Sequence, residues 1–365
     1  MKSIIDKLSE EVVFIVLLFV FSVSVFFRIP TIEAIDWGVL AALWNLMVVA
    51  LALEEQRFLD YLANKICIRY HTERKLAFAL IGLSAFFAMF MTNDVALLTL
   101  VPITIIIGKK GRFNPYKLVA LETIAANVGS SLTPFGNPQN IFLFNYFNMK
   151  PLEFFSFTAP FVIISMIGLL LIAMTCSKSK LDFDLEKIII KSKTEIIVYL
   201  GLLAIAILSI LHVLSWHLIT PIIFIVIFIM KKKLIIDVDY FLLGTFVLFF
   251  LLVDNLLALD NIVDIISTQL QTPLRTMWVS AIVSQGISNV PAAILLSPFT
   301  LNKEALLIGV SLGGFGTLIA SLANLISWKL YIKAFPKRKY FRYFTLTNAI
   351  LLIFVGAIMT LWILN

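Results

Sequence analysis

Charged and metal-binding side chains are scarce in this sequence of 365 residues. Aspartate, glutamate, lysine and arginine together make up 14% of it, and there are only three histidines and two cysteines. Hydrophobic residues make up 61%, in runs far longer than one soluble core could bury. The composition therefore excludes a soluble globular domain and predicts an integral membrane protein.

The few cysteines and histidines exclude further classes of protein. Cys67 and Cys176 lie near basic segments, so we expect reduced thiols rather than a disulfide framework or a metal cluster. His212 and His217 have no cluster of partners that would complete a metal site. The sequence contains no P-loop, which argues against ATP-driven pumping by this chain. It also lacks the interleaved aromatic and basic residues that would suggest nucleic-acid binding.

Several apolar runs are predicted to cross the membrane as helices, since about 20 apolar residues span its hydrocarbon core. These predicted spans cover residues 11–27, 36–55, 154–176, 195–213, 218–230, 239–257 and 344–363. The more charged segment 56–75 has apolar residues at helical spacing and is predicted to be an amphipathic helix at the cytoplasmic interface. No cleavage-site sequence follows the first run, so we expect it to remain as a span.

The distribution of basic residues predicts the orientation of the chain. All but four of the 29 lysines and arginines fall in segments that these spans put on the cytoplasmic side. An odd number of complete crossings then puts the N-terminus inside and the C-terminus outside. We therefore expect a protein of the cytoplasmic membrane, surrounded by lipid, with two antiparallel halves.

A polar island, NVGSSLTPFGNPQN, interrupts the apolar chain at residues 127–140. Inside a bilayer, backbone that leaves a helix persists only where protein or a wet cavity surrounds it. A proline kink or a loop between spans is the alternative explanation, but a second island, SLGGFGTLIASLAN, covers residues 311–324 and argues against it. One constant shift aligns Gly129 with Gly313, Thr133 with Thr317, and Asn140 with Asn324.

A shorter paired motif precedes each island. TNDVALLTLVP begins at Thr92 and SNVPAAILLSP begins at Ser288, so each motif has a hydroxyl residue followed by asparagine, and each ends in proline. Both flanks of residues 76–107 are basic, which favours a re-entrant hairpin turning at Asn93 over a single span. Broken apolar segments at corresponding places in two halves indicate a transporter's binding site.

The predicted fold is an all-α polytopic membrane protein with two inverted-topology repeats. Each repeat has a re-entrant helical hairpin and a broken transmembrane helix. The first repeat covers 1–176, with its hairpin at 76–107 and its broken helix at 116–148. A cytoplasmic linker and a connecting span cover 177–213. The second repeat covers 214–365, with its hairpin at 277–300 and its broken helix at 304–328.

Hydroxyl, amide and main-chain groups line one site if the hairpin tips and the broken helices meet near the membrane midplane. Such oxygens suit a small cation, and the N-termini of half-helices suit an anionic group. The predicted substrate-binding residues are Asn93, Asp94, Thr133, Asn137, Asn289, Thr317 and Ser321. The predicted ligands of sodium, if sodium is the coupling ion, are Thr92, Asn93, Gly129, Ser288, Asn289 and Gly313.

Two carboxylates fall within these motifs. Asp94, whose counterpart is Val290, either binds a proton or a cation at this depth, or caps the returning helix by accepting its N–H groups. Glu122, on the first broken helix, either lies along the pathway near its cytoplasmic mouth or pairs with a lysine or arginine of a loop.

The paired hairpins and broken helices resemble the ion transporter superfamily, which includes citrate and dicarboxylate carriers, arsenite permeases and some sodium/proton antiporters. The resemblance spans nearly the whole chain. It is most specific at TNDVALL from Thr92, GSSLTPFGNPQN from Gly129, and SNVP from Ser288. It implies a rigid scaffold domain and a moving transport domain that carries the site across the membrane, often within a homodimer.

The hairpin tips depart from one branch of that superfamily. Its sodium-coupled dicarboxylate carriers have Ser-Asn-Thr at both tips, and the asparagine and threonine contact substrate carboxylates beside two sodium sites. Asn93 and Asn289 keep the asparagines, whereas Asp94 and Val290 replace the threonines. A carboxylate there repels a dianion unless it is protonated or paired with a cation. The departure favours the arsenite-permease-like and citrate-permease-like branches.

These observations predict a secondary active transporter of a small anion, a carboxylate or an oxyanion, coupled to a proton or sodium gradient. We expect no cofactor beyond that ion and no enzymatic activity. The alternative within transport is a sodium/proton antiporter in which Asp94 exchanges its proton for sodium. A prenyl-transfer enzyme, suggested by the two aspartates of DNIVD at residues 260–264, is a remote alternative, because no second aspartate pair lies on the same side.

Overall fold

The structure, a computed structural model, describes residues 12–26 and 28–364. In these residues the regular secondary structure is helical, and the one β feature is an isolated antiparallel bridge between Thr72 and Lys180. Six of the described helices are long and apolar enough to cross a membrane. The prediction of an all-α polytopic membrane protein is thus confirmed.

The first half of the chain contains eight described helices. They are α1 (Val12–Val25), α2 (Trp37–Glu55), α3 (Phe58–Cys67), α4 (Glu73–Met91), α5 (Asn93–Lys110), α6 (Tyr116–Ser130), α7 (Pro138–Tyr146) and α8 (Pro151–Ala173). The amphipathic helix α3 is shorter than the predicted 56–75. It begins after Arg57, whose φ of 57° breaks the helix, and a new helix starts where the Thr72 hydroxyl accepts from the main-chain N–H of Lys75.

The second half is also helical throughout its regular structure. Its helices are α9 (Lys193–Ile210), α10 (Trp216–Lys231), α11 (Lys233–Asp237), α12 (Tyr240–Leu257), α13 (Asp260–Gln269), α14 (Pro273–Ile287), α15 (Asn289–Leu296), α16 (Lys303–Gly313), α17 (Leu322–Ile332) and α18 (Lys337–Leu364). From α12 onward the order matches that from α2 onward: a long helix, a ten-residue helix, a hairpin, a broken helix and a long final helix.

Helix α6 lies at the centre of the core. Every residue of α6 from Leu118 to Ser130 is buried, and the helix packs against α4, α5, α8, α17 and α18. The second arm of each hairpin packs against the other half, since α5 contacts α17 and α15 contacts α7. A second group of helices surrounds α2, which packs against α9, α10 and α12, and α12 in turn packs against α1. The site is built where the hairpins meet the broken helices.

Candidate functional site

The two hairpins turn through the same unusual backbone conformation. Thr92 joins α4 to α5 with φ 75° and ψ 150°, and Ser288 joins α14 to α15 with φ 75° and ψ 155°. A single residue with positive φ lets the second arm begin at once with asparagine, so the amides of Asn93 and Asn289 project at the two tips. The predicted turn at Asn93 is therefore displaced by one residue, to Thr92.

Equivalent asparagines stabilise the unwound segments of the two broken helices. The Asn140 amide nitrogen, on α7, donates to the main-chain oxygen of Thr133 at 2.9 Å, and the Asn324 amide nitrogen, on α17, donates to that of Thr317 at 3.1 Å. Corresponding second bonds run to Ser130 and Gly314, each at 3.2 Å. These bonds satisfy carbonyls that the unwound segments would otherwise leave without donors.

Threonine hydroxyls tie each unwound segment to the hairpin of its own half. Thr133 donates to the main-chain oxygen of Met89 at 2.7 Å, and Thr317 donates to that of Gln285 at 3.0 Å. The Gln285 amide adds bonds to the oxygens of Gly313 at 2.9 Å and Phe315 at 3.0 Å. Met89 has no such amide, so more hydrogen bonds join Gln285 to its broken helix than join Met89 to the other.

Asn127 links the two halves at the centre of the molecule. Its side-chain oxygen accepts from the amide of Asn93 at 3.0 Å and from the hydroxyl of Ser321 at 3.1 Å. Its amide nitrogen donates to the side-chain oxygen of Asn324 at 2.8 Å. All four side chains are buried. We call these four residues the amide cluster.

The amide cluster includes only part of the predicted site. Asn93 and Ser321, which are predicted to bind substrate, belong to it, whereas Asn127 and Asn324 were not among the predicted residues. Asn324 could have been found, since it aligns with Asn140 at the end of the repeated island. Asn127 aligns with Ser311, and that mismatch conceals it in the sequence.

Several predicted substrate-binding residues have structural partners. Asn137 accepts from the main-chain N–H of Asn140 at 2.9 Å, which caps α7, and donates to Ser130 at 3.1 Å. Thr133 and Thr317 make the hairpin bonds described above, and Thr317 is exposed. Asn289 lies at the second tip, where its main-chain N–H donates to the oxygen of Ala320 at 3.0 Å.

The predicted sodium ligands lie at the same junctions. Thr92 and Ser288 form the two tips, and the hydroxyl of Ser288 contacts the Asn289 side-chain oxygen at 3.3 Å. Gly129 and Gly313 allow close helix packing. A Cβ on Gly129 would lie 2.4 Å from the Cα of Ala85, and one on Gly313 would lie 2.5 Å from the Cβ of Ser284.

Asp94 lies beside the amide cluster, at the start of α5. Its main-chain N–H donates to the side-chain oxygen of Asn93 at 3.1 Å. At the start of this helix the acceptor of a main-chain N–H is therefore Asn93, whereas one interpretation of the sequence assigned that role to the carboxylate of Asp94. The Asp94 Oδ1 atom is buried and has no hydrogen-bond partner in the described structure. A carboxylate oxygen in that position can accept a proton or contact a small cation.

Glu122 does not pair with a lysine or arginine in the part of the chain that the structure describes. It is fully buried, and the Thr104 hydroxyl donates to its Oε2 atom at 2.9 Å. His, Cys, Asp and Glu form no group of three or more that could hold a metal ion among the described residues. Amides, hydroxyls and helix N-termini thus dominate the chemistry of the site, and these groups suit an anion accompanied by a small cation.

Comparison with known proteins identifies related membrane proteins. The model of a family described as citrate transporter matches residues 4–306. An uncharacterized transporter of Methanocaldococcus jannaschii is 35% identical over 301 residues, which are 81% of each chain. The inner membrane protein YbiR of Escherichia coli is 32% identical over 301 residues, which are 81% of this chain and 80% of that one. The human P protein is 28% identical over 151 residues, which are 40% of this chain and 17% of that one.

Proposed function

This chain belongs to the citrate transporter family, and from that premise we propose that it is a secondary active transporter of a small carboxylate or oxyanion. It is an integral membrane protein and an anion transporter at the level of its family. Because the family is described as citrate transporter and the relative of Methanocaldococcus jannaschii as a transporter, the prenyl-transfer alternative is set aside.

The amide cluster is the observation that carries this proposal. It is buried and polar, and it joins Asn93 at the first hairpin tip and Asn127 on the first broken helix to Ser321 and Asn324 of the second broken helix. A polar group of this kind between two halves of a membrane protein is the expected position of a transporter's binding site. The anion would exchange hydrogen bonds with these amides when the hairpin moves.

The coupling ion is a proton or sodium, and Asp94 is our candidate for the coupling residue. Its unpartnered oxygen lies next to Asn93 in the amide cluster, so a proton or cation there would reduce repulsion of the incoming anion. The sodium ligands in this proposal are Thr92, Asn93, Gly129, Ser288, Asn289 and Gly313, and the remaining substrate ligands are Thr133, Asn137, Asn289 and Thr317.

The larger organisation of the protein follows the same proposal. Two inverted repeats, 1–176 and 214–365, would be joined by 177–213, with α2, α9, α10 and α12 in the scaffold and the hairpins and broken helices in the transport domain. The matching dihedral angles of Thr92 and Ser288 support the duplication. The charge pattern supports an N-terminus inside the cytoplasmic membrane, and homodimer formation follows from the resemblance alone.

Uptake into proteoliposomes tests the function. We expect labelled citrate, or another anion of a carboxylate and oxyanion panel, to accumulate only under an imposed pH or sodium gradient. Asp94→Asn should abolish the dependence on that gradient but retain anion exchange at equilibrium. If no anion of the panel enters above the level of empty liposomes, the proposal is wrong.

The sodium/proton antiporter is the second candidate, and the unpartnered Asp94 oxygen is the observation that favours it. An antiporter would move protons in response to sodium without any organic or inorganic anion substrate. The same proteoliposomes, loaded with a pH-sensitive dye, distinguish the two functions. Sodium-dependent pH change that needs no anion, and that disappears in Asp94→Asn, would identify the antiporter.

A further inference from the structure

Glu122 is the one fully buried side chain among the aspartates, glutamates, lysines, arginines and histidines that the structure describes. It lies in α6, a little more than one helical turn before Asn127 of the amide cluster. The substrate and sodium sites proposed above do not use it. An ionisable group at this depth in a membrane protein is costly, and such groups usually serve proton or ion movement.

Both arms of the first hairpin contact Glu122. From α5, the Thr104 hydroxyl donates to Oε2 at 2.9 Å, and from α4, the Ser84 hydroxyl donates to the Glu122 main-chain oxygen at 2.7 Å. The other carboxyl oxygen, Oε1, is buried without a hydrogen-bond partner in the described structure. Movement of the hairpin relative to α6 would therefore change the surroundings of this carboxyl group directly.

The other neighbours of Glu122 give it no positive charge. Two titratable groups interact with it electrostatically, the buried thiol of Cys67 on α3 and the buried hydroxyl of Tyr340 on α18.

The helices that pack against α6 carry further charged residues. On α8 the charged residue is Glu153, which pairs with Lys303, and on α17 it is the exposed Lys329. The remaining charged residues of the packed helices α4, α5 and α18 are Glu73, Arg74, Lys75, Asp94, Lys109, Lys110, Lys337, Arg338, Lys339 and Arg342. None of these forms an ion pair with Glu122 in the described structure.

The second half of the chain has an apolar residue at the position that aligns with Glu122. The shift that aligns the two islands puts Leu306 at the place of Glu122, and Leu306 is also fully buried. The hairpin motifs align by a different shift, the one that puts Thr92 on Ser288, and that shift puts the hydroxyl residues Ser280 and Thr300 at the places of Ser84 and Thr104. The second half therefore has a buried apolar side chain at the aligned position, so burial there does not require a carboxyl group.

We propose that Glu122 is a second proton-binding site, separate from Asp94, that is loaded and unloaded as the hairpin moves. The proposal rests on the proposed transport function. In the buried arrangement the carboxyl group is neutral, because an ionised carboxylate there would have the Thr104 hydroxyl as its one side-chain donor and no basic side chain paired with it in the described structure. When α4 and α5 move and water reaches the site, the carboxylic acid releases one proton to that water and becomes a carboxylate with one negative charge.

Infrared difference spectroscopy of the purified protein tests the proton site without any transport substrate. Between about pH 5 and about pH 9, we expect the C=O band of a protonated carboxylic acid to appear and disappear reversibly. Glu122→Gln and Glu122→Leu should both lose this band. The leucine variant introduces the residue that the second half has at the aligned position, Leu306. Asp94→Asn, the control for the buried carboxyl oxygen beside the amide cluster, should keep it.

Two spectroscopic results would overturn the proposal. One is a Glu122 band that does not change over the whole pH range, which would make this residue a permanently neutral structural acid. The other is a set of pH-dependent bands that is the same in the wild type and in both Glu122 variants, so that no band belongs to Glu122. Either result can be obtained whether or not the protein transports the anions tested, so failure of the proton site is distinguishable from failure of the proposed function.

A transport measurement adds an independent test. If one proton crosses with each anion at Glu122, a gradient of about one pH unit supports about tenfold accumulation of a labelled anion. We expect Glu122→Gln to lose that accumulation and to retain exchange of labelled for unlabelled anion. Exposed Asp264, on α13, offers the control Asp264→Asn, which should accumulate like the wild type. Unchanged pH-driven accumulation in Glu122→Gln would contradict the proposal.

Discussion

At the scale of single residues, Asn140 and Asn324 explain how a polar break persists inside an apolar protein. Each side chain donates to main-chain oxygens of the unwound segment just before it, and each is fully buried. A buried carbonyl without a donor is expensive, so one asparagine stabilises several groups at once. The repeated island in the sequence therefore reflects a repeated need for the same hydrogen bonds.

Replacing Asn140 with alanine should destabilise the protein. The main-chain oxygens of Ser130 and Thr133 would lose their donor, and we expect a loss of about 2 kcal/mol or more in unfolding free energy. Thermal melting in detergent measures it. Asn261→Ala, an exposed asparagine on α13, is the control and should melt like the wild type. Equal melting temperatures of the two variants would contradict this role of Asn140.

Gly82 in the first hairpin and Gly129 in the first broken helix allow a test of how closely α4 and α6 pack. A Cβ on Gly129 would lie 2.4 Å from the main chain of Ala85, whereas one on Gly82 would have no atom within 4 Å. We expect Gly129→Ala to lower the melting temperature and the transport rate, since α4 and α6 would have to separate. Gly82→Ala should be neutral or slightly stabilising, because alanine favours a helix. A neutral Gly129→Ala would show that α4 and α6 are not in contact there.

At the scale of elements, the hairpin tips combine function with backbone strain. Thr92 and Ser288 have φ of 75° with ψ near the extended range, a combination that side chains other than glycine rarely adopt. Asp94 and Val290 follow the asparagines that these turns present, so the tips differ chemically while their backbones agree. We infer that the strain is maintained because the turn has to present an asparagine at the start of each second arm.

A comparison of alanine and glycine at Thr92 isolates this strain. Both substitutions remove the hydroxyl, but only glycine relaxes the positive φ, so we expect Thr92→Gly to be more stable than Thr92→Ala by about 1 kcal/mol. At Thr99, in the middle of α5, the order should reverse, because glycine weakens a helix interior. The melting temperatures of the four variants test this prediction. If Thr92→Ala melted at a higher temperature than Thr92→Gly, that result would argue against strain at the tip.

Most elements could be predicted from the sequence, whereas the partners of the site could not. Apolar runs and the repeated motifs locate both hairpins and both broken helices to within a few residues, because membrane burial dictates their lengths. The amide cluster escaped prediction because it joins different halves, and Asn127 and Ser311 break the repeat there. The side chain of Asn137, which is predicted to bind substrate, also caps α7, and this second role fits an asparagine before proline.

At the scale of the whole molecule, the charge distribution predicts an orientation. Exposed Ser179 lies in the basic linker after α8, and exposed Gln271 lies between α13 and α14, on the opposite side in the predicted topology. The native thiols should stay unmodified, because Cys67 and Cys176 are buried and burial, with a contribution from Glu73, raises the pKa of Cys176 to about 11. Single added cysteines can therefore report orientation in the otherwise native protein.

Labelling of intact cells with a membrane-impermeant maleimide tests this orientation. We expect Gln271→Cys to be labelled from outside and Ser179→Cys to be labelled only after the membrane is permeabilised. Labelling of Ser179→Cys in intact cells, with Gln271→Cys protected, would mean that the chain crosses the membrane in the opposite sense. The wild type is the control for the native thiols.

The central claim is that the amide cluster binds the transported anion, and the most direct test is anion uptake by Asn127→Asp in proteoliposomes. The substitution keeps the shape of the side chain and adds one negative charge where the anion would bind. Asn261→Asp makes the same change on the exposed face of α13. With the anion that the wild type accumulates fastest, citrate being tested first, we predict that Asn127→Asp loses about tenfold or more in uptake while Asn261→Asp is unaffected. Uptake by a folded Asn127→Asp protein at the wild-type rate would contradict the account.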